Sequence, residues 1–462
     1  MEKGAKESLQ GNLNRLATGN IGRLLWDYSL PAVVGMLVMS LYNVIDRIFI
    51  GHVVDGPDAM AGLAITFPVM NLSAALGVLV GAGASARVSI MLGAKDQRGA
   101  EYVLGNSLTL ILINATVYLT FFGIFLDDIL KAFGASPSSL PYAHDFMLYI
   151  LPGMLMMNLS FSFNNIMRAS GYPVKAMYTM FIGAGLNLIL APICIFYLDW
   201  GIKGAAIATD ISMTVSMLFV MEHFFNRGNT LRFKRGTFGL RWRIVVGIVG
   251  IGAAPSLVNA ASCFINILIN TSLQRLGGDS AVAAVGIFVT YTSLLTMVVV
   301  GLCQGMQPII GYNYGAGLIG RLRRTYTLAV VAATAITSTG AAFGLAFPGL
   351  IARAFTSDPG LTDATVNALR CSLLAFWVVG FQIISTTLFQ SIGQAAKSIF
   401  LSLTRQVLFL IPLLILMPRA HGLNGIWYSF PTSDILATAV TVAMVWWQLK
   451  KFPKGRLVIN NI

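Results

Sequence analysis

Long apolar runs separated by short polar stretches fill the sequence from residue 24 to residue 448. A helix needs about 20 mostly apolar residues to cross the hydrocarbon core of a bilayer. Twelve runs reach that length, and they cover residues 24–50, 58–84, 101–126, 142–167, 174–198, 201–225, 244–274, 280–310, 323–347, 363–391, 398–417 and 423–448. The pattern predicts an all-α polytopic membrane protein with twelve transmembrane helices.

The composition indicates that much of the exterior faces lipid. Of the 462 residues, 56% are hydrophobic and 11% are charged, and the mean hydropathy is +0.75. A soluble globular protein has about a quarter of its residues charged. The net charge of +13 could indicate a nucleic-acid partner. However, lysine and arginine recur in short clusters between the apolar runs, so we expect the lipid bilayer, and no nucleic acid, as the partner.

Cysteine and histidine give no sign of a metal or redox site. The four cysteines lie inside apolar runs, without a CxxC pair or a histidine at metal-ligand spacing. The glycine-rich phosphate-binding motifs are also absent from the sequence. We therefore expect no cofactor, and no metal other than Na⁺ at a coupling site. The first 23 residues are polar and predict no cleaved signal, so the first apolar run should remain as a helix.

One connection, residues 226–243, is longer and more basic than the others. We interpret it as a cytoplasmic linker between two lobes of six helices each. The N-lobe then spans residues 24–225 and the C-lobe residues 244–448. Residues 1–23 and 449–462 form cytoplasmic tails.

Lysine and arginine set the expected orientation in the cell membrane. With the N-terminus inside, 24 of the 31 basic residues fall in inside regions and 7 in outside regions. Membrane proteins keep their lysines and arginines on the cytoplasmic side. Both termini are therefore predicted to be cytoplasmic.

The two halves repeat one another. At a shift of 224 residues, the matching pairs are Pro31 with Pro255, Gly62 with Gly286, Gly77 with Gly301, Gly81 with Gly305, and Gly93 with Gly317. At shifts of 222 and 221, the pairs are Gly171 with Gly393, Gly201 with Gly422, and Gly204 with Gly425. An even number of helices in each half makes the repeats parallel, so they are related by a pseudo-two-fold axis along the membrane normal. A substrate cavity is expected between such repeats.

A few polar side chains fall within the apolar runs, where they are costly unless they have a function. Asp46 is the most informative of them. Asn43 lies on the same helical face, and in the repeat Asp46 aligns with Asn270. A partly desolvated carboxylic acid can take up a proton near neutral pH or hold Na⁺ with neighbouring oxygens. A salt bridge of Asp46 with Arg47 is the structural alternative.

Three further polar residues can join Asp46 in one cation-sized pocket. Asn187 lies on the fifth predicted helix, and Thr209 and Asp210 lie on the sixth. Counted from the outer ends of the helices, these positions have similar depths in the membrane. Lone polar residues of this kind also satisfy neighbouring helices, so a structural role stays open for each. Asp434, in the middle of the twelfth helix, is either a structural hydrogen-bonding group or a substrate contact.

Several motifs, taken together and in order, resemble the multidrug and toxic compound extrusion (MATE) family over nearly the whole chain. They are residues 41–51 (LYNVIDRIFIG), 77–85 (GVLVGAGAS), 93–96 (GAKD), 167–171 (MRASG), 204–209 (GAAIAT) and 307–315 (QPIIGYNYG). The resemblance implies two six-helix lobes that export amphipathic, often cationic compounds in exchange for H⁺ or Na⁺. We expect such an exporter to act as a monomer.

The resemblance also implies site residues. The family's first-lobe cation site matches Asp46, Asn187 and Thr209. Members usually carry an acid four residues after that asparagine, where this chain has Ala191, and an apolar residue where it has Asp210. We expect Asp210 to join the coupling site as the replacement for the missing acid. Candidate substrate contacts are Asn43, Asn270, Gln307 and Asp434.

Two other functions remain open at this point. A lipid-linked oligosaccharide flippase of the same superfamily would need a strongly cationic cavity for pyrophosphate, whereas the basic residues here cluster at the inner surface. A membrane-embedded enzyme would need a convergent catalytic set, and none is visible in the sequence. We therefore expect a secondary antiporter and no enzyme.

Overall fold

A computed structural model describes residues 14–53, 57–226 and 228–452. Within the membrane helices, the side chains at positions 43, 44, 46–48, 50–53 and 57–61 lie outside the described set. Among the described residues the chain is helical, without a strand.

The first half of the chain forms six long helices. They are α1 (Ile21–Val53), α2 (Pro57–Gly93), α3 (Gln97–Ala132), α4 (Leu140–Ala169), α5 (Pro173–Pro192) and α6 (Gly201–Phe225). A π-helical turn, Ile193–Tyr197, extends α5.

The second half begins with a helix of 74 residues and contains seven helices in all among the described residues. They are α7 (Trp242–Gly315), α8 (Ile319–Ala346), α9 (Pro348–Phe355), α10 (Pro359–Ser372), α11 (Val379–Ser391), α12 (Ala395–Leu403) and α13 (Ile411–Lys451). A π-helical turn, Thr404–Leu410, joins α12 to α13.

Two backbone breaks turn long helices into pairs of membrane spans. At 1.5 Å per residue α7 would be about 110 Å long, several times the thickness of a bilayer. It breaks at Gly278, where φ is 65° and ψ is −161°, and α13 breaks at Gly422 in the same way. Helices α10 and α11 form one span bent by 56°. The described residues then contain twelve spans, which confirms the predicted fold class.

The repeat is visible in the backbone as well as in the sequence. Gly171 and Gly393 both have positive φ, and so do Gly201 and Gly422, at 56° and 55°. Only glycine adopts such angles without strain. These two matched pairs of turns explain why the glycines recur in both halves.

Close contacts at the ends of α2 and α7 correct the predicted repeat register. Gly93 packs against the carbonyl of Tyr312, and Gly315 packs against the carbonyl of Ile90. A shift of 222 residues pairs Gly93 with Gly315 and Ile90 with Tyr312, so the two contacts are the same contact seen from each half. Gly93 therefore corresponds to Gly315 and not to Gly317. Both glycines end their helices, and the sequence alone could not separate two glycines two residues apart.

The two halves touch along α1, α2 and α7 at one end of the molecule, which we call the closed end. There Gly305 packs against the backbone of Ser29, and Gly301 against that of Val33. On the other side of the pseudo-axis Gly252 packs against the carbonyl of Leu79. Backbones can approach this closely only where side chains are absent.

The hydrophobic core follows the same division. At the closed end a single cluster joins both lobes, from Leu24 and Val80 to Ile309 and Leu388. At the opposite end each lobe has its own cluster, one around Met147 and one around Trp427. The lobes therefore share a core at the closed end and separate beyond it, leaving a cleft.

The connection between the lobes is bound to α3. The side chain of Asn106 donates to the carbonyls of Thr237 (3.0 Å) and Gly239 (3.1 Å) and accepts from the backbone N–H of Arg241 (2.8 Å). Lys234 forms an ion pair of 2.7 Å with the buried Glu101 of the same helix. Residues 228–241 are therefore packed against the first half of the chain.

Candidate functional site

Asn187 and Thr209 form a polar pair in the first lobe. The Asn187 amide nitrogen donates to Thr209 Oγ1 at 2.9 Å, and that hydroxyl donates to the carbonyl of Ala205 at 3.0 Å. Asn187 is buried, and among the described residues its side-chain oxygen has no hydrogen bond. An amide oxygen can accept a hydrogen bond or coordinate a cation.

The described neighbours of position 46 pack against the helices that carry this pair. Tyr42 belongs to a small cluster with Ala184 of α5 and Met213 of α6. Phe49 meets Phe196 edge-on, with ring centroids 6.2 Å apart. Position 46 lies on α1 about one turn from each of the two, while the side chains of Asp46 and Asn43 lie outside the described set.

Asp210 faces a different helix from its neighbour Thr209. Its carboxylate rests against Gly153 of α4, where a Cβ would overlap it. Oδ1 of Asp210 is buried without a hydrogen-bond partner. Successive helical residues point about 100° apart, which explains why Thr209 reaches α5 and Asp210 reaches α4. The structure brings Asn187 and Thr209 together and directs Asp210 towards another face.

Ala191 is fully buried in an apolar cluster. Its neighbours there include Cys194 of the π-helical turn and Ala205 and Ala208 of α6. Ala191 therefore packs between α5 and α6, the helices that carry Asn187 and Thr209.

A larger cavity, of about 490 Å³, lies between the lobes directly beyond the closed-end contacts. Met36, three residues after Val33, contributes to one wall, and Met297, four residues before Gly301, contributes to the other. Its polar lining is mostly amide, from Asn165, Asn259, Gln304, Gln307, Gln382, Gln390 and Gln406. The volume is within the range of small-molecule sites, about 300–1,000 Å³.

The four candidate substrate contacts have different locations. Gln307 lines the cavity and donates to the carbonyl of Ala82 at 3.3 Å. Asn270 is exposed and is not part of the cavity wall. Asp434 is buried behind the wall, where its Oδ1 accepts from Nε of Arg405 at 2.6 Å. Asn43 lies outside the described side chains.

Two arginines at this cavity, Arg168 and Arg405, are among the 24 basic residues that the topology prediction assigns to the cytoplasmic side. Arg405 lines the cavity itself, and Arg168 lies next to it, bonded to the lining residues Asn165 and Gln304. Arg405 falls inside the predicted apolar run 398–417, a signal that could have identified it. Arg168 follows directly after the run 142–167 and had no such signal. Among the described residues no group of three or more His, Cys, Asp and Glu side chains could hold a metal ion.

Comparison with known proteins gives one matching family model, described as MatE. It matches residues 31–193 and again residues 255–416, one block in each half of the chain.

Curated relatives and solved structures match over nearly the full length. The Multidrug export protein MepA of Staphylococcus haemolyticus is 26% identical, over 92% of this chain and 94% of its own. A protein named FAD transporter from Shewanella oneidensis is 27% identical, over 91% and 93%. A structure described as the outward-facing conformation of a multidrug resistance MATE family transporter of the MOP superfamily is 26% identical. The match covers 95% of this chain and 98% of the chain in that structure, with a TM-score of 0.89.

Proposed function

The chain belongs to the MatE family of membrane transporters, and from that premise we propose that it is a secondary active exporter. It exchanges H⁺ or Na⁺ for small amphipathic organic compounds by alternating access between the two lobes. The observation that supports this most is the cavity of about 490 Å³, which is closed at one end of the molecule and continues into the cleft. The single bilayer-spanning chain would act as a monomer and move its substrate unchanged.

We place the coupling site at Asp46, Asn187 and Thr209. The support is the Asn187–Thr209 pair, with an amide oxygen left unbonded among the described residues, and the packing of Tyr42 and Phe49 around position 46. One charge moving through 100 mV releases about 2.3 kcal/mol, and one pH unit about 1.4 kcal/mol. Either gradient would drive the lobes if the cation and substrate favour opposite states.

We further propose that Asp210 supplies the acid that Ala191 lacks. Burial favours a protonated or cation-bound carboxylate, and Oδ1 of Asp210 is buried against Gly153, so it would act from the α4 side of α6. Asp210→Val is expected to reduce efflux several-fold, and adding Ala191→Asp to recover part of it. Efflux rates of the single and double variants in proteoliposomes measure this. Normal efflux by the Asp210→Val protein would contradict the role.

We propose that the closed end faces the cytoplasm, with both termini. A cysteine at Arg235, which is exposed on the connection between the lobes, should then react only with membrane-permeant maleimides in intact cells. The background protein lacks Cys194, Cys263, Cys303 and Cys371. A cysteine at Tyr197, 86% exposed at the other end of the molecule, is the matched control and should react with impermeant reagent. The reverse labelling pattern would show that the closed end and both termini face the outside.

Efflux from proteoliposomes, with the H⁺ and Na⁺ gradients imposed separately, tests the proposed exporter. Wild-type protein should release a trapped fluorescent amphiphile only when one of the two gradients is present. Release of the amphiphile at the same rate with and without the gradients would contradict secondary active transport. Chemical conversion of the compound by purified protein, without vesicles, would instead indicate an enzyme.

The lipid-linked sugar flippase is the weaker proposal. A diphosphate carries at least two negative charges, and the only charged side chain among the described cavity-lining residues is Arg405. A smaller substrate with less charge fits this lining better.

A further inference from the structure

Building on the proposed export function, we infer that the cavity between the lobes selects amphipathic organic anions. The ligand would have an apolar, hydrogen-bonding body and one carboxylate or phosphate, which Arg405 would hold. This class differs from the cationic compounds that the family resemblance led us to expect.

The charge of the cavity wall is the first argument. Arg405 is the one charged side chain among the described residues that line it, and no carboxylate joins it there. The Arg405 side chain is 28% exposed, whereas Asp434 behind it is 5% exposed. A ligand in the cavity therefore contacts the guanidinium of Arg405 and not the carboxylate of Asp434.

Arg405 is also held in a fixed position. It lies on the π-helical turn Thr404–Leu410, a type of turn that is frequent at functional sites. Its carbonyl accepts from the hydroxyl of Ser433 at 2.6 Å, and its Nε donates to Asp434 at 2.6 Å. The two terminal nitrogens of the guanidinium have no hydrogen bond within the described part of the chain. They remain available for the paired hydrogen bonds by which arginine binds carboxylates and phosphates.

A second guanidinium adds to the positive field. Arg168 is 2% exposed and donates only to amide oxygens, those of Asn164 (2.8 Å), Asn165 (3.3 Å) and Gln304 (2.5 Å). No carboxylate among the described residues neutralises it. Asn165 and Gln304 line the cavity, so this charge lies one side chain away from a ligand. Two arginines and one aspartate give the site a net positive charge, which concentrates anions.

The rest of the lining suits a body that both packs and hydrogen-bonds. Gln382 lines the cavity and is 3% exposed. Its side-chain oxygen is buried and has no hydrogen-bond partner among the described residues. This acceptor oxygen can receive a hydrogen bond from an N–H group of a ligand in the cavity. Met36, Met297 and Phe161 supply apolar surface around it.

The test is a matched pair of probes that differ by one phosphate. Flavin mononucleotide and riboflavin share a planar ring with amide N–H groups, and only the first has a phosphate. Binding of each to the purified full-length protein in nanodiscs is measured by flavin fluorescence anisotropy at low and high salt. Wild-type protein should bind the phosphate-bearing flavin at least tenfold more tightly, about 1.4 kcal/mol, with a smaller difference at high salt.

Three variants separate the charge from the fold. The double variant Arg405→Gln/Asp434→Asn removes both charges of the ion pair, so no unpaired charge is left buried. It should abolish the preference for the flavin that carries the phosphate. Asp434→Asn alone keeps the arginine and should strengthen that preference several-fold. Arg353→Gln, on the exposed surface of α9, is the matched control and should bind as wild type. Equal affinities of wild-type protein for the two flavins, or a preference that survives in the double variant, would overturn the inference.

Failure of the inference can be told apart from failure of the proposed export. Rhodamine 6G, a cationic dye, is loaded into the same proteoliposomes as the flavins. Gradient-driven efflux of the dye without any preference for the flavin phosphate would overturn the anion site and leave the exporter standing. Efflux of none of the three compounds under either gradient would contradict the exporter itself.

Discussion

Replacement of Asp46 by asparagine is expected to reduce gradient-driven efflux to the rate of protein-free vesicles, with normal expression. Asparagine keeps the shape of the side chain and one acceptor oxygen but can neither bind a proton near neutral pH nor supply a negative charge to Na⁺. Without a titrating or charged group, the imposed gradient has no differential effect on the two states of the lobes. The measurement is efflux from proteoliposomes containing equal amounts of wild-type and variant protein.

Two controls accompany this variant. Asp46→Glu keeps the charge and should retain part of the activity. Asp27→Asn removes a carboxylate from the same helix, where it pairs at 3.0 Å with Arg15 on the surface at the closed end, and should transport as wild type. Wild-type efflux by a well-folded Asp46→Asn protein would exclude Asp46 as the coupling residue.

Gly252→Ala is expected to open the closed end. The added methyl group would overlap the carbonyl of Leu79 on the opposite lobe, a backbone atom that cannot rotate away. Overpacking of a close contact costs about 1–3 kcal/mol, enough to shift a two-state equilibrium by roughly fivefold to a hundredfold. Spin labels at the exposed positions Arg98 and Arg324, one on each lobe, report the separation of the lobes by double electron–electron resonance.

The same helix provides the control. A Cβ at Gly250 would meet Ala395 at 3.5 Å, an ordinary contact. Gly250→Ala carries the same gain in helix propensity, about 1 kcal/mol, without the overlap. The distance between the labels should increase, and efflux should fall by about tenfold, only in Gly252→Ala. An unchanged distance distribution would show that the closed end tolerates the methyl group and does not depend on this backbone contact.

The arrangement of the membrane spans was accessible from the sequence because lipid imposes a uniform requirement on it. Every spanning segment must be apolar over about 20 residues, and every backbone polar group must be bonded within its own helix. The predicted run 201–225 therefore matches α6 at both ends. The runs 244–274 and 280–310 leave between them the position at which α7 breaks, Gly278. Lipid could not fix the repeat register at Gly93, since moving a glycine by two residues leaves hydropathy unchanged.

The polar residues of the N-lobe were also visible in the sequence, as exceptions to an apolar pattern. Asn187 and Thr209 are two such residues, and they form one hydrogen bond in the structure. Counting residues along each helix predicts how deep these side chains lie in the membrane, but not which neighbouring helix they face. Asp210 shares that depth with Thr209, and yet it faces Gly153.

The lining of the central cavity was decided by tertiary structure alone. Whether a charge in or beside an apolar run faces lipid, a partner or a cavity depends on how its helix is rotated against its neighbours. Asp434 was the candidate that hydropathy singled out, but packing buries it behind Arg405. Rotation is set by side-chain contacts between helices distant in sequence, such as Arg168 with Gln304. A linear pattern records which residues are polar, and only the packed helices determine which of them meet a substrate.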